Sequence, residues 1–142
     1  MRIYMDMDGT LLDLYGVMGW LEMLREEDAT PYRVAPALVN PEQLCKAMRA
    51  MRAIGVTFGI ISWSAKDATP AYKKSIRREK VESLKKLGIY NLLDEVHVVA
   101  YGTPKCKVAR VKGGYLVDDE PQAWAPDRLI NAEVFREFIQ QF

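Results

Sequence analysis

The chain has 142 residues, and 20 Lys and Arg against 19 Asp and Glu give it a formal net charge of +1. Its length, with 49% hydrophobic and 27% charged residues, predicts one globular domain over residues 1–142 and excludes a disordered chain. The near-neutral charge argues against a dedicated nucleic-acid binder, and two distant cysteines, Cys45 and Cys106, exclude a disulfide scaffold and a cysteine-based zinc site.

Strand-like and helix-like segments alternate along the first half of the chain. The apolar run at 2–6 predicts a strand that ends in a carboxylate, and 56–61 predicts a second, buried strand. Between them, Asn40 and Pro41 favour a helix start and Gly55 favours its end. Four apolar residues at helical spacing support this helix: Leu44, Ala47, Met48 and Met51.

The second half continues the same alternation. It predicts a helix that stops at Gly88, then three strands, then a helix that begins after Asn131. Their ranges are 77–87 for the helix before Gly88, and 95–99, 115–117 and 128–130 for the strands. Short connections between alternating strands and helices predict an α/β fold, with a three-layer, Rossmann-like parallel sheet and helices on both faces.

The segment 14–39 interrupts this pattern between the first strand and the first core helix. Connections of this type are normally about 2–6 residues long, so an insertion of roughly 25 residues predicts a functional lid. Its second half, 28–33, is typical of a loop. Its first half has helical spacing that two glycines weaken: Leu14, Val17, Met18, Leu21 and Leu24, with Gly16 and Gly19 between them.

Neither a signal peptide nor a membrane span is expected. Two acidic residues occur by position 8, and no apolar run approaches the ~18 residues of a spanning helix. Two free thiols suit a reducing compartment. The sequence therefore predicts a cytoplasmic protein with no membrane partner.

Acidic and phosphate-binding side chains gather where the predicted strands end. In an open parallel sheet the carboxyl ends of the strands share one edge, and ligands bind in the crevice there. We therefore expect four carboxylates, one hydroxyl and one ammonium to meet at that edge: Asp6, Asp8, Asp118, Asp119, Ser62 and Lys105.

Four carboxylates in one place repel each other unless a cation joins them. Mg²⁺ is the expected cation because it takes oxygen ligands and shares its shell with phosphate. Ser62 and Lys105 would hold the other phosphate oxygens, and Gly9 would let backbone amides approach the same anion. One Asp can attack a phosphoryl group, and a second can move the protons.

The ordered set of motifs resembles the haloacid dehalogenase superfamily. Asp6-Met-Asp8-Gly9-Thr10 resembles the first motif of that family. Ser62 resembles the second motif, Lys105 the third, and Asp118-Asp119 the fourth. The resemblance implies a minimal-cap phosphohydrolase that uses Mg²⁺, with residues 14–39 as the cap.

The resemblance also implies individual roles. Asp6 would be the nucleophile, and Asp8 the general acid and base with its backbone carbonyl on the metal. Asp118 would ligate Mg²⁺, and Asp119 would act through metal-bound water or Lys105. The carboxylates Asp6, Asp8, Asp118 and Asp119 are thus the expected metal site, and the expected phosphate contacts are Gly9, Thr10, Ser62, Trp63 and Lys105.

A narrower resemblance is to the 5′(3′)-deoxyribonucleotidase branch. It rests on Asp118-Asp119-Glu120-Pro121, on Ser62-Trp63-Ser64 and on the helix end Lys85-Lys86-Leu87-Gly88. It implies a small phosphomonoester substrate, with nucleoside monophosphates first. The aromatic residues available in the short cap are Tyr15, Trp20 and Tyr32.

Two alternatives stay open. One is a phosphatase for nucleic-acid ends or a phosphoprotein, which the small cap and the basic run 73–80 favour. The other is a non-catalytic binding or regulatory module on the same scaffold. The basic run is otherwise interpreted as a solvated helix face, Trp63 as packing, and His97 as a core or edge histidine.

Overall fold

The computed structural model describes residues 1–142 and contains a five-stranded parallel sheet in the order β3-β2-β1-β4-β5. The predicted parallel α/β sheet is therefore confirmed. The strands are β1 (Arg2–Met5), β2 (Thr57–Trp63), β3 (Glu95–Val99), β4 (Tyr115–Asp118) and β5 (Leu129–Asn131). The helices are α1 (Trp20–Arg25), α2 (Thr30–Val34), α3 (Pro41–Ala53), α4 (Pro70–Lys86), α5 (Lys105–Val108) and α6 (Ala132–Ile139).

The strand order reverses at β1, which creates a crevice at one edge of the sheet. From β1 the chain continues to β2 and β3 on one side, and then crosses back to β4 and β5 on the other. Met5 pairs with Ile60 of β2 and Val117 of β4. The carboxyl ends of β1 and β4 therefore lie side by side at the position where such sheets bind ligands.

Alternation along β1 divides the apolar packing between the two faces of the sheet. Ile3 and Met5 belong to the larger core, which also contains residues of α3 and α6. Tyr4 belongs to a smaller cluster on the other face, where Val108 of α5 packs. Because both faces of a parallel sheet are covered, its strands are apolar almost throughout.

Gly59 allows a polar network to cross the middle of the smaller face. Tyr4, Gly59 and Glu95 are neighbours across β1, β2 and β3. A Cβ atom on Gly59 would lie 2.8 Å from the Tyr4 ring, so the missing side chain lets Tyr4 extend over β2. The Tyr4 hydroxyl then donates to Glu95 at 2.6 Å, and His97 Nε2 lies 2.9 Å from the same carboxylate. The interpretation of His97 as a satisfied strand histidine is confirmed.

Helix α4 begins seven residues before the predicted start at position 77. The Thr69 side chain accepts a hydrogen bond from the Tyr72 amide, and Pro70 occupies the first turn. These are ordinary start signals. The prediction was wrong because it did not take them into account.

The insertion 14–39 also differs from the prediction. Residues 28–33, predicted as a loop, include most of α2, where Asp28 Oδ1 accepts from the Thr30 amide and Pro31 lies in the first turn. The predicted helix in the first half is confined to α1, because Gly19 adopts a left-handed φ of 73° just before it. Met18, predicted on its apolar face, is 94% exposed.

The insertion is attached to α4 by polar contacts. The Glu27 carboxylate accepts from the Thr69 amide at 2.9 Å and from its hydroxyl at 2.8 Å. The Tyr72 hydroxyl donates to the Asp28 carbonyl at 2.8 Å. These contacts place the insertion above the carboxyl ends of β1 and β2. None of the helices combines the length and apolar character needed to cross a bilayer.

Candidate active site

Three carboxylates meet at the crevice between β1 and β4. Asp6 follows the last residue of β1, Asp118 ends β4, and Asp119 comes next in the chain. One carboxylate oxygen from each of the three lies within 4.8 Å of the others. Asp6 and Asp118 are 6% and 3% exposed, whereas Asp119 is half-buried. The adjacency of parallel strand ends thus brings together three of the four carboxylates that the sequence predicts at this edge.

Lys105 joins the two buried carboxylates of this cluster. It is the first residue of α5, and its Nζ lies 2.9 Å from Asp6 Oδ1 and 2.6 Å from Asp118 Oδ2. The Lys105 side chain is only 2% exposed. Thr10 Oγ1 donates to the other oxygen of Asp6 at 3.2 Å, and the Glu120 amide donates to Asp118 Oδ1 at 3.0 Å. Both carboxylates therefore have fixed orientations.

Burial and mutual repulsion oppose the charges of this cluster. Burial raises the pKa of Asp6 to about 8 despite the pull of Lys105, and Asp118 and Asp8 add to the rise. Burial also raises the pKa of Asp119 to about 6. For Lys105, burial disfavours the ammonium, but Asp6 and Asp118 outweigh it and raise its pKa. A cation among these carboxylates would favour their ionised forms.

Gly9 makes room for Asp119. Its φ is +80°, and a Cβ atom there would lie 2.2 Å from Asp119 Oδ2. The Gly9 amide donates to the Leu12 carbonyl at 2.8 Å, so this amide is not a free donor for an anion. The amides of Met7 and Asp8 have no acceptor within the protein. These two N–H groups are the unpaired backbone donors next to Asp6 in the chain.

The Asp8 side chain lies apart from the three-carboxylate cluster. Its Oδ2 forms a salt bridge of 2.8 Å with Lys80 Nζ, and its side chain is 15% exposed. Lys80 Nζ also donates to Ser62 Oγ at 2.6 Å and to the Trp63 carbonyl at 2.7 Å. The expected site thus contains a second ammonium, Lys80, which is only 1% exposed.

Sequence reasoning assigned Lys80 to a solvated face of the basic run 73–80. The other basic residues of that run, Lys73, Lys74, Arg77 and Arg78, are exposed, but Lys80 is buried. The signal that could have found it is the spacing of four between Tyr72, Ile76, Lys80 and Leu84, which places the lysine on the buried stripe of α4.

The two serines at the end of β2 differ in their position relative to the cavity. Ser62 is within β2, is completely buried and accepts from Lys80, and it does not line the cavity at the crevice. Ser64 does line that cavity, and its buried hydroxyl has no hydrogen-bond partner. Thr10 and Gly9 also lie outside the cavity wall, whereas Lys105 and Trp63 are part of it.

A cavity of about 350 Å³ lies over the acidic cluster. This volume lies within the usual range for small-molecule sites, about 300–1,000 Å³. Asp6, Asp8, Asp118 and Asp119 are part of its charged lining. Five aromatic residues form much of the remaining wall: Tyr15, Trp20, Tyr32, Trp63 and Tyr101.

The aromatic walls are held in place by contacts with each other and with the backbone. Tyr15 packs edge-on against Trp20, with ring centroids 5.1 Å apart. Trp63 Nε1 donates to the Thr103 carbonyl at 2.8 Å, and its ring lies 5.1 Å from that of Tyr101. A ligand with an anionic end and a planar apolar part matches this combination of charged and aromatic lining.

The donor set at this cavity fits a hard divalent cation. Asp6, Asp118 and Asp119 supply only oxygen atoms, which Mg²⁺ prefers. With Glu120, Lys66 and the Asp8 partner Lys80 included, the site holds five carboxylates and three ammonium groups, so a divalent cation would balance its formal charge. Comparisons with protein-family models, with curated proteins and with solved structures each found no match to this chain.

Proposed function

We propose that this chain is a Mg²⁺-dependent phosphomonoester hydrolase of the haloacid dehalogenase superfamily, with residues 14–39 as a small cap. The observation that carries the proposal is the pair of buried strand-end carboxylates, Asp6 and Asp118, joined by Lys105 beside Asp119. This arrangement lies at the base of a cavity large enough for a small phosphoester.

Asp6 is the proposed nucleophile because Lys105 and Thr10 hold its carboxylate at the crevice. An Asp6 oxygen attacks phosphorus, the ester P–O bond breaks, and the leaving oxygen takes a proton from Asp8. Water then gives a proton to Asp8 and attacks the phosphorus of the aspartyl-phosphate. The P–O bond to Asp6 breaks, which releases phosphate and restores the carboxylate.

The remaining residues position the phosphoryl group. The free amides of Met7 and Asp8 are available for its oxygens, and Lys105 supplies positive charge at the cavity wall. Asp6, Asp118 and Asp119 would hold Mg²⁺, and the family resemblance adds the Asp8 backbone carbonyl. When bound, Mg²⁺ supplies charge that offsets the carboxylates and attracts the phosphate oxygens.

A small phosphomonoester with a planar leaving group is the proposed substrate class, with nucleoside monophosphates first. The support is the aromatic lining that Trp63, Tyr101 and Trp20 contribute to the same cavity as the carboxylates. Stacking and apolar contact with such a wall would favour a planar leaving group. They would not distinguish one planar group from another by hydrogen bonds to its edge.

The test is phosphate release from a panel of phosphoesters, with Mg²⁺ and with EDTA. The panel contains deoxy- and ribonucleoside 5′- and 3′-monophosphates, sugar phosphates, a phosphopeptide and a 3′-phosphorylated oligonucleotide. Wild-type protein is compared with Asp6→Asn and with the control Asp13→Asn. Asp13 lies in the same segment but does not line the cavity, and Asn keeps the acceptor for the Gly16 amide.

We expect Mg²⁺-dependent release by the wild type and Asp13→Asn, and none by Asp6→Asn. Retained turnover in folded Asp6→Asn would contradict the nucleophile assignment. A preference for the oligonucleotide that weakens steeply with salt would favour the nucleic-acid-end alternative. No release from any ester, together with no Mg²⁺ binding, would favour the non-catalytic module.

A further inference from the structure

Lys80 is a buried ammonium that the proposed reaction does not yet use. It lies on α4, and its three nearest acceptors come from two other segments: Asp8 Oδ2 at 2.8 Å, Ser62 Oγ at 2.6 Å and the Trp63 carbonyl at 2.7 Å. An ammonium has three N–H donors, so these contacts use all of them. The Tyr32 ring of the insertion covers the group, with its centroid 5.1 Å from Nζ.

Packing does not explain a lysine at this position. The neighbouring residues on the buried stripe of α4 are Tyr72, Ile76 and Leu84, which all pack in the interior. Burying an ammonium carries a desolvation cost, and an apolar side chain of similar size often serves stability equally well. We therefore look for the role of Lys80 in the groups that it contacts.

Two of those groups belong to residues that line the cavity of the candidate active site. Asp8 lines the cavity over Asp6, and Trp63 forms part of the cavity wall. Lys80 itself does not line the cavity, so it does not reach a bound ester. It contacts only one Asp8 oxygen, which leaves the other free of the salt bridge.

We propose that Lys80 is a positioning residue for the general acid and base of this site. By binding Asp8 Oδ2 while held by Ser62 and Trp63, it fixes the Asp8 carboxylate relative to the end of β2. The other oxygen of Asp8, which lines the cavity with the rest of the residue, then remains available for proton transfer. This inference rests on the proposed function and adds a residue to it.

The experiment is a double-mutant cycle between Lys80→Met and Asp8→Asn, with kcat and KM measured in Mg²⁺ on one good ester from the panel. Lys74→Met is the matched control because Lys74 is exposed on the same helix. Urea unfolding in EDTA is measured for every variant, so that loss of fold is separated from loss of rate.

We expect Lys80→Met to lower kcat by about 100-fold with little change in KM, since misplacing a catalytic group by about 1 Å costs this much. The double variant should be no slower than Asp8→Asn alone, because Lys80 acts through Asp8. Lys74→Met should match the wild type. A second variant, Lys80→Ala, should recover rate when ethylammonium is added, whereas Asp8→Asn should not.

Two results would overturn the role of Lys80 alone: a folded Lys80→Met with the kcat of an active wild type, or independent, additive losses in the double variant. If Lys80→Met does not fold, failure of ethylammonium to restore any rate to folded Lys80→Ala would overturn it as well. A wild type that is inactive on every ester would instead overturn the proposed function, and the role of Lys80 with it.

Discussion

Glu95 should stabilise the fold through a network on the smaller face of the sheet, whose members do not line the cavity of the candidate site. The residue begins β3, is 6% exposed and forms a salt bridge with Arg2 at the start of β1. Its carboxylate also accepts from the Tyr4 hydroxyl at 2.6 Å and lies 2.9 Å from His97 Nε2. Glu95→Gln removes the charge but keeps the size of the side chain.

The expected loss in the free energy of unfolding is about 3 kcal/mol near neutral pH, at the low end of the range for breaking a buried ion pair from one side. The value is at the low end because Gln retains one carbonyl oxygen, which can still accept from Tyr4. A domain of this kind is stable by only about 5–15 kcal/mol, so a change of this size is readily measured.

The loss should also depend on pH in a defined direction. Burial raises the pKa of Glu95, but hydrogen bonds from Tyr4, His97 and the Arg110 amide, with the charge of Arg2, outweigh it and lower the pKa below 4.5. A carboxyl with a lowered folded pKa contributes stability above its unfolded pKa, and this contribution is lost as the pH falls through the folded pKa.

Urea unfolding of wild type and Glu95→Gln at pH about 5.5 and about 2.5 measures both effects. The difference between the two proteins should be large at the higher pH and shrink at the lower. An equal difference at both values, or a Glu95→Gln as stable as the wild type, would refute the reasoning. Phosphate release by folded Glu95→Gln should be unchanged, because the network lies away from the cavity.

Two further predictions concern Gly59 and Trp63. Gly59→Ala should lower the free energy of unfolding by about 1–3 kcal/mol, because the new Cβ would lie 2.8 Å from the Tyr4 ring. Urea unfolding measures this, and a neutral effect would show that Tyr4 can move. Trp63→Leu should raise KM about 10-fold for nucleoside monophosphates and little for a sugar phosphate, since one aromatic contact is lost. Equal changes for both esters would contradict a stacking role.

The acidic cluster was predictable because its geometry follows from local order in the chain. Asp6 and Asp118 each come at the end of a short apolar run, and parallel strands bring such ends to one edge. The order β3-β2-β1-β4-β5 does not follow from alternation alone, because it depends on which strands pair. That order decides that Asp6 and Asp118, rather than Asp6 and Ser62 alone, face each other across the crevice.

Lys80 was missed because its environment depends on where α4 begins. A helix predicted from position 77 contains only the last part of the stripe that starts at Tyr72. With the Thr69 and Pro70 start included, Lys80 falls between Ile76 and Leu84 on the buried face. The density of basic residues favoured a solvated face for the whole run, but the register of the helix places Lys80 on its buried face.

The insertion shows a second limit of local patterns. Asp28 and Pro31 occur in loops and at helix starts alike, so the sequence of 28–33 is compatible with either. The contact between Glu27 and Thr69, 42 residues apart, attaches this segment to α4. Its placement over the crevice therefore depends on tertiary contacts with α4, and the residue pattern within the segment does not predict those contacts.

The most direct test of the proposed mechanism is to look for a phosphoryl group on Asp6. Asp8→Asn is mixed with Mg²⁺ and an aryl phosphate, whose leaving group needs no proton, and the reaction is stopped with acid. Peptide mass spectrometry should find one phosphoryl group on Asp6, because water activation by Asp8 is lost and the aspartyl-phosphate accumulates. An active wild type whose Asp8→Asn variant never carries phosphate on Asp6, or a folded Asp6→Asn that still releases phosphate, would contradict the account.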